Sequence, residues 1–403
     1  MLQRTLPVYF VAAAVFSAGA ARNFLVPLYA HEVGADRATI GLLFAVFMAS
    51  AAAISLPSGF IADRFGRKRV LVFAICVLGA SQLGAGLTHN IPLLFVFQFC
   101  GGLGGAFLQT GVMAAVADAT PASRMGQAMG WLTLSFQMGF LAGPAVAGLA
   151  LQLVDFRHDL LLMSALYGIS LPIVLLGVTA GPVRTGKPLE IGRRLHQLRR
   201  QRGFYAILVG LFGGTVLWGT LQAFLPVFGK EQLQLPGAQI GYLLAIVAVA
   251  NGLSRIPSGW LVDRARRRGP LVIGGTIGYA LVVAILPHLS GFWAPALVLS
   301  LGVPLLATAF VAVNVAFTGL ATEETRGVTM GLNGLMLYTG LGLGPACFGP
   351  IMERAGYTAG FTACAVAVIL IMAVVAILRS DPVERRRRVL EVRPETGAER
   401  FGA

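Results

Sequence analysis

Apolar stretches of about 20 residues follow one another along almost the whole chain, and this pattern limits the fold more than any motif does. Each stretch is long enough to cross a hydrocarbon core of roughly 30 Å as a helix. Of the 403 residues, 56% are hydrophobic and only 12% are charged. A soluble domain carries about 25% charged residues. The sequence therefore predicts an all-α polytopic membrane protein.

We predict twelve membrane-spanning helices from these stretches. The longest internal polar stretch follows the sixth of them and divides the chain into two halves. The predicted organisation is an N-terminal six-helix bundle (1–180), a basic linker (181–202), a C-terminal six-helix bundle (203–380) and a basic tail (381–403). The spans are predicted at residues 8–30, 39–61, 70–88, 91–117, 126–151, 159–179, 203–229, 238–262, 270–288, 291–320, 327–352 and 357–379.

Lysine and arginine are distributed unevenly between the two sides of this arrangement. Of the 31, 25 fall on the side of the chain ends and the linker, four on the opposite side and two inside spans. The positive-inside rule then predicts a multi-pass protein of the inner (plasma) membrane with both termini cytoplasmic. This bias accounts for the net charge of +14, so nucleic acid is not an expected partner. The run ERRRRV in the tail is typical of an anionic-lipid contact or an orientation signal.

One sixteen-residue pattern occurs twice, 200 positions apart. PSGFIADRFGRKRVLV begins at Pro57 and PSGWLVDRARRRGPLV begins at Pro257, each after the second span of its half. The dipeptide Ile-Gly at 40–41 recurs at 240–241, and Gly-Pro at 143–144 recurs at 344–345. The two halves are therefore predicted to be a parallel, pseudo-symmetric duplication.

The first copy resembles the signature loop of the major facilitator superfamily, Gly-x-x-x-Asp-Arg/Lys-x-Gly-Arg-Arg/Lys, and the resemblance covers essentially the full length. In the second copy Arg266 replaces the second glycine. The resemblance implies two bundles around a central cavity and alternating access by rocking of the halves. It also implies that Gly59 permits close helix contact and that a charge network closes the cytoplasmic side; alternatively, these charges only anchor the loop at the lipid interface. The candidate gating residues are Gly59, Asp63, Arg64, Gly66, Arg67, Asp118, Asp263 and Arg264.

The fifth span, GWLTLSFQMGFLAGPAVAG, resembles the antiporter motif of the drug:proton antiporters, with Ala147 where a glycine is common. The eleventh span repeats the same spacing at 331, 340, 344–345 and 349. The motif therefore indicates either an efflux antiporter or duplicated close packing of helices. Its members are Gly130, Gly139, Gly143, Pro144 and Gly148.

The charges inside the predicted spans are both positive, Arg22 and Arg255. No carboxylate or histidine lies near the middle of a span, which leaves Glu32, Asp63 and Asp118 as the nearest candidates to carry a coupling proton. The two arginines either give the cavity an attraction for anions or are satisfied by helix carbonyls and side-chain amides.

Polar residues within spans are the candidates for substrate binding, although each is equally able to form an interhelical hydrogen bond. Gln98 stands where the drug antiporter families place an embedded arginine. The candidates are Arg22, Gln98, Gln137, Trp218, Gln222, Asn251, Arg255, Asn333 and Tyr338.

These observations predict a secondary transporter that works by alternating access and exports small organic or lipophilic compounds, as in multidrug efflux. The alternative is a transporter of organic anions or carboxylates that uses Arg22 and Arg255. A membrane enzyme is not expected, because the spans hold no set of nucleophile, base and metal ligands. No cofactor or metal is implied. The expected partners are a small-molecule substrate, membrane lipids and, as candidate coupling ion, a proton, with the protein acting as a monomer.

Overall fold

The computed structural model describes residues 2–121, 124–178, 191–201, 203–320 and 325–379. The predicted tail (381–403) and residues 181–190 of the predicted linker lie outside this part of the chain. The helices are α1 (Leu2–Glu32), α2 (Arg37–Phe65), α3 (Arg67–Leu87), α4 (Ile91–Asp118), α5 (Met125–Ala150), α6 (Phe156–Gly177), α7 (Ile191–Arg199), α8 (Phe204–Glu231), α9 (Gly237–Arg264), α10 (Gly269–Ile285), α11 (Trp293–Thr318) and α12 (Arg326–Arg379).

Every helix except α7 is long and apolar enough to cross a membrane. Helix α12 has 54 residues and contains two spans, which meet at Gly356, where φ is 81° and the helical conformation is interrupted. The twelve predicted spans and the all-α fold are thereby confirmed. Helix α7 was not predicted, because residues 191–199 were assigned to a polar linker.

Short polar signals begin and end the helices next to the loops. The carboxylate of Asp36 caps α2 and accepts a hydrogen bond of 2.7 Å from the backbone N–H of Thr39. Hydrogen bonding by Thr39 lowers the pKa of the Asp36 carboxyl below its ordinary value. Gly66 alone joins α2 to α3, with a φ of 89° that favours glycine. In the second half four residues, 265–268, make the corresponding turn, so Arg266 needs no left-handed backbone.

The duplication seen in the sequence is also present in side-chain contacts. The hydroxyl groups of Ser58 and Thr110 are 2.9 Å apart between α2 and α4. Those of Ser258 and Thr308 are 2.8 Å apart between α9 and α11. Both serines come from the repeated Pro-Ser-Gly sequence, so the repeat fixes the same helix pair in each half.

The buried core is shared between the halves at one end of the molecule and divided at the other. We call the end with residues 33–36 and 232–236 the outer end, following the charge bias, and the end with Gly66 and α7 the inner end. Toward the outer end Leu25 and Phe44 of the first half belong to the same buried apolar cluster as Phe224 of the second. Toward the inner end separate clusters form around Leu71 and around Val313. The halves are thus joined mainly at their outer ends.

Candidate functional site

A cleft between the halves is defined by one face of α5 and one face of α9. Gly148 of α5 contacts Gly241 of α9 near the outer end, where a Cβ on Gly241 would lie 2.5 Å from the carbonyl oxygen of Pro144. Gly130 and Gly259 lie 18 residues further along the same helices, which is five helical turns and therefore the same faces. Nothing lies within 4 Å of a Cβ at either position. The two helices touch at the outer end and separate toward the inner end.

The other pair of helices between the halves, α2 and α12, makes contact over a longer distance. Gly349 packs against Arg37 near the outer end, and Gly331 packs against Leu56 well toward the inner end. Between these levels the hydroxyl of Tyr338 donates a hydrogen bond to Oε1 of Gln109 on α4. Tyr338, a substrate-binding candidate, therefore lies at a direct contact between the halves.

Arg22 is 2% exposed and lies inside the first bundle. Its Nε donates to Oε1 of Gln98 over 3.0 Å, its Nη1 to Oγ of Ser81 over 2.8 Å, and its Nη2 to the carbonyl oxygen of Phe97 over 3.1 Å. A Cβ on Gly101 would collide with the guanidinium, so that glycine leaves the room for it. A small crevice borders the pair Arg22 and Gln98. Of the two alternatives for this arginine, the geometry matches satisfaction by amide, hydroxyl and carbonyl oxygens.

Arg255 has the opposite environment. Its side chain is exposed, and among the described residues it has no hydrogen bond or ion pair. On the helix it lies between Ser258, which faces α11 within the second bundle, and Gly252, which faces Gln137 of α5. Arg255 therefore borders the cleft, and among the described residues nothing accepts from its guanidinium. The two arginines that were treated together in the sequence analysis thus have different surroundings.

The remaining substrate-binding candidates lie at helix contacts or half-buried positions. Trp218 and Gln222 are half-buried one turn apart on α8. Asn333 donates to Oδ1 of Asn314 over 2.9 Å. The buried Oδ1 of Asn251 has no hydrogen-bond partner among the described residues, which leaves it available.

The candidate gating loop forms its ion pair within one half. Arg67, at the start of α3, pairs with Asp118, at the end of α4. Arg64 is exposed, and the side chain of Asp63 lies outside the described part of the chain. Among the described residues, nothing lies within 4 Å of a Cβ at Gly59, so the close contact expected there is not made in this conformation.

The second loop also lacks a charge contact between the halves in the part of the chain that the structure describes. Asp263 is exposed, and the guanidinium of Arg264 lies 3.3 Å from the ring centroid of Trp260 on the same helix. At the inner end the faces of α5 and α9 are apart, and among the described residues Arg64, Asp263 and Arg264 form no ion pair across the cleft.

The glycines of the antiporter-type motif have two different surroundings. Gly139 and Gly143 pack against Ser17 of α1 within the first bundle. Pro144 and Gly148 form the outer contact with α9 described above. The motif therefore contributes both to packing within the first bundle and to the contact between the bundles at the outer end.

A polar cluster at the outer end was missed in the sequence. Glu231 of α8 accepts hydrogen bonds from Arg37 of α2, at 2.6 Å from Nη2 and 3.0 Å from Nε, and from the hydroxyl of Tyr357 at 2.9 Å. Nδ1 of His31 lies 3.3 Å from Oε1 of Glu231. Glu353 accepts from the backbone N–H of Arg37 over 3.0 Å. This Glu231 cluster joins the halves where the cleft is closed.

A buried carboxylate was also missed. The expectation that acidic residues stay at span ends assigned Asp159 to the edge of the sixth span, but α6 begins at Phe156 and Asp159 is 0% exposed. Neither of its oxygens has a hydrogen-bond partner among the described residues. It is the only carboxylate in that part of the chain that is fully buried.

Comparison with known proteins agrees with this architecture. The family description "Major Facilitator Superfamily" matches residues 8–345 and 233–399. The bacterial homologue of the human lysosomal transporter Spinster, in an inward-facing conformation, aligns with a TM-score of 0.75, at 16% identity over 93% of this chain and 95% of that one. The nucleoside transporter NupG aligns with a TM-score of 0.77, at 14% identity over 93% and 99%.

Among curated proteins, the chain is 27% identical to the quinolone resistance protein NorA of Staphylococcus aureus over 124 residues, 31% of this chain and 32% of NorA. It is 29% identical to multidrug resistance protein 1 of Bacillus subtilis over 122 residues, 30% of this chain and 31% of that protein. These alignments span about a third of each relative. The family match covers most of the chain, and the protein is therefore a transporter, not an enzyme, that belongs to the major facilitator superfamily.

Proposed function

We propose that the protein exports small lipophilic organic compounds from the cell by alternating access. The observation that carries the mechanism is the pair of glycine faces on α5 and α9, which touch at Gly148 and Gly241 and separate at Gly130 and Gly259. In this state the cleft opens at the inner end, where a substrate from the cytoplasm enters. Rocking of the halves then separates the outer glycines and brings the inner glycines together.

The direction and the class of substrate are supported by the resemblance of the fifth span to drug antiporters and by the similarity to the quinolone resistance protein NorA and to multidrug resistance protein 1. We take the cleft to be largely apolar with few polar groups, of which the amide of Gln137 lies beside Gly252 between α5 and α9. Such a lining suits uncharged or amphipathic molecules, which bind by area and need few fixed polar contacts.

The transport proposal is tested with ethidium in everted membrane vesicles that contain the protein. Export from the cell corresponds to uptake into these vesicles, so faster uptake than in vesicles without the protein is expected. Ethidium that leaves the vesicles faster would mean import and would contradict the proposed direction. Quinolone and organic-anion probes in the same assay define the substrate class.

Two glycine-to-valine variants test the mechanism separately from the substrate. Gly241→Val places a side chain against the backbone of α5 and is expected to hold the outer end open. Gly259→Val has room in this conformation and is expected to prevent closure of the inner end. Both variants lose transport, but single cysteines at the outer end become more accessible only in the first. Gly168→Val, on the exposed face of α6, is the matched control and keeps transport. The rocking scheme is wrong if both variants give the same accessibility.

A second candidate function, transport of organic anions or carboxylates, is favoured by one specific observation: Arg255 is exposed and has no hydrogen bond or ion pair among the described residues. Arg22 supports it less, because its donors are already used inside the first bundle. Stabilisation of the purified protein by organic anions, lost in Arg255→Gln, would make this function primary. Stabilisation by lipophilic cations that is unchanged in Arg255→Gln would leave drug export as the function.

We propose a proton as the coupling ion, carried by one or both of two carboxylates, Asp159 and Glu231. Asp159 is buried and has no hydrogen-bond partner among the described residues. Glu231 accepts from Arg37 of the other half, a contact that must break when the outer end opens. Substrate-driven proton movement in proteoliposomes is expected to fall in Asp159→Asn and in Glu231→Gln. Glu32, a candidate carrier in the sequence analysis, is exposed at the same end and outside the Glu231 cluster, so Glu32→Gln is expected to keep proton movement and serves as the control.

A further inference from the structure

The short helix α7 lies where the second bundle meets the membrane surface. Its Leu198 is 1% exposed and belongs to a buried cluster with Phe204, Phe317 and Val328. These three residues stand at the inner ends of α8, α11 and α12. Because the membrane helices begin or end at these residues, α7 is held at the level where the hydrocarbon region gives way to lipid headgroups.

The two sides of α7 differ in chemistry. Leu195 and Leu198 lie on one face and pack toward the bundle. Arg194 and Arg199 flank that face on either side, and Arg199 is exposed. His196 and Arg200 lie toward the opposite face and are exposed as well. The nine residues of α7 contain no acidic residue to neutralise Arg194 and Arg199.

We infer that α7 binds the phosphate headgroups of anionic membrane lipids at the inner end. Its leucines fix the helix to the second bundle, so the arginines are presented at a defined height and need not be ordered when a lipid binds. Arginine side chains beside an apolar face extend along it and place their charge among the headgroups. The chemistry selects a phosphodiester that carries net negative charge, such as phosphatidylglycerol, over a zwitterionic headgroup.

The expected strength follows from charge near an anionic surface. Each arginine near the headgroups strengthens binding about fivefold, so removing two weakens it about 30-fold. The effect decreases at high ionic strength, because exposed charges beyond a Debye length of about 8 Å are screened.

The test uses the full chain in nanodiscs of phosphatidylcholine with and without phosphatidylglycerol. Phosphatidylglycerol retained on the detergent-purified protein is counted by native mass spectrometry, and the melting temperature is measured in each nanodisc. The variant is Arg194→Gln with Arg199→Gln. The matched control is Arg266→Gln with Arg267→Gln, which removes the same charge from exposed residues at the same end but outside α7.

The wild type and the control are expected to retain phosphatidylglycerol and to melt higher in nanodiscs that contain it. The α7 variant is expected to lose most of both effects while it stays monodisperse and melts as the wild type does in phosphatidylcholine. Equal losses in the variant and the control would mean that only total charge matters and would overturn the site. The same protection by inorganic phosphate in phosphatidylcholine would assign the arginines to a free anion and would equally contradict the proposal. This test needs no substrate, so its result is independent of the proposed export.

Discussion

Replacing Glu231 by glutamine should release the outer end of the transporter. The carboxylate accepts from Arg37 and Tyr357 and lies beside His31. One side chain of α8 therefore contacts α1 and α2 of the first bundle and α12 of the second. Glutamine keeps nearly the same shape but removes the negative charge, and its amide nitrogen would face the arginine. The variant therefore weakens the closed outer end without creating a cavity.

The magnitude follows from the exposure of the pair. A hydrogen bond to a charged group contributes about 1.5–3 kcal/mol when buried, and an exposed ion pair contributes about 0.2–1 kcal/mol. The side chains of Arg37 and Glu231 are 26% and 19% exposed, between these limits. We expect a loss of about 1.5 kcal/mol, which changes the ratio of outer-open to outer-closed molecules roughly tenfold.

The population change can be read as a distance between spin labels at the outer end. Gln152 precedes α6 in the first half, Ser290 precedes α11 in the second, and both are exposed. With these two positions labelled in a background without native cysteines, double electron–electron resonance should report one main, short distance in the wild type. Glu231→Gln should add a longer distance with a population increased about tenfold relative to the wild type.

Glu32→Gln is the control, because it removes an exposed carboxylate at the same end that lies outside the Glu231 cluster. It should leave the distance distribution unchanged. If Glu231→Gln gives the wild-type distribution as well, the cluster does not hold the outer end closed, and the shared apolar core alone must do so.

Three further changes follow from local geometry. Arg22→Gln should lower the stability of the purified protein by about 3 kcal/mol, because it leaves buried acceptors unpaired. Arg255→Gln should leave the melting temperature unchanged. Equal effects of the two variants would contradict the different environments of the two arginines. Gly66→Ala should destabilise by about 1 kcal/mol, since φ at this position is 89°, while Arg266→Ala in the four-residue turn should have no effect on thermal unfolding. Asp36→Asn should melt as the wild type does at pH 7, because asparagine also caps helices. Folding lowers the pKa of the Asp36 carboxyl, so the stability contributed by its carboxylate is fully present above the ordinary pKa and is lost as the pH falls through the lowered pKa. In thermal melts at acid pH, only the wild type should therefore lose this stability.

Features that depend on neighbouring residues in the chain were predictable. Span length and polarity fix the membrane helices, and the repeated Pro-Ser-Gly sequence predicted the duplication that Ser58 and Ser258 show in space. The single turn residue Gly66 could be recognised because a left-handed backbone has a clear preference for glycine. Helix α7 was missed because its nine residues bury only a narrow apolar stripe and include three arginines, which resembles a solvated linker.

Features that depend on distant pairs were not predictable. Arg37 and Glu231 are 194 positions apart, and each looks like an ordinary charge at the end of a span. Asp159 was missed for a similar reason, because the position of α6 against α1 and α3 decides its burial, and no local pattern reports that position. The open or closed state of the cleft also depends on contacts between the halves, and no local sequence pattern within one half indicates those contacts.

The pair of Arg22 and Gln98 shows how a departure from a family pattern can be compensated in space. Read by position, Gln98 removes the arginine that the resemblance expects on the fourth span. In the folded chain a guanidinium is still present there, because Arg22 extends from α1 and places Nε 3.0 Å from Oε1 of Gln98. Gly101, one turn from Gln98, leaves the room for the guanidinium of Arg22, because a Cβ at this position would collide with it. A buried guanidinium therefore lies beside α4 although position 98 holds glutamine, so the missing arginine at position 98 does not by itself argue against drug export.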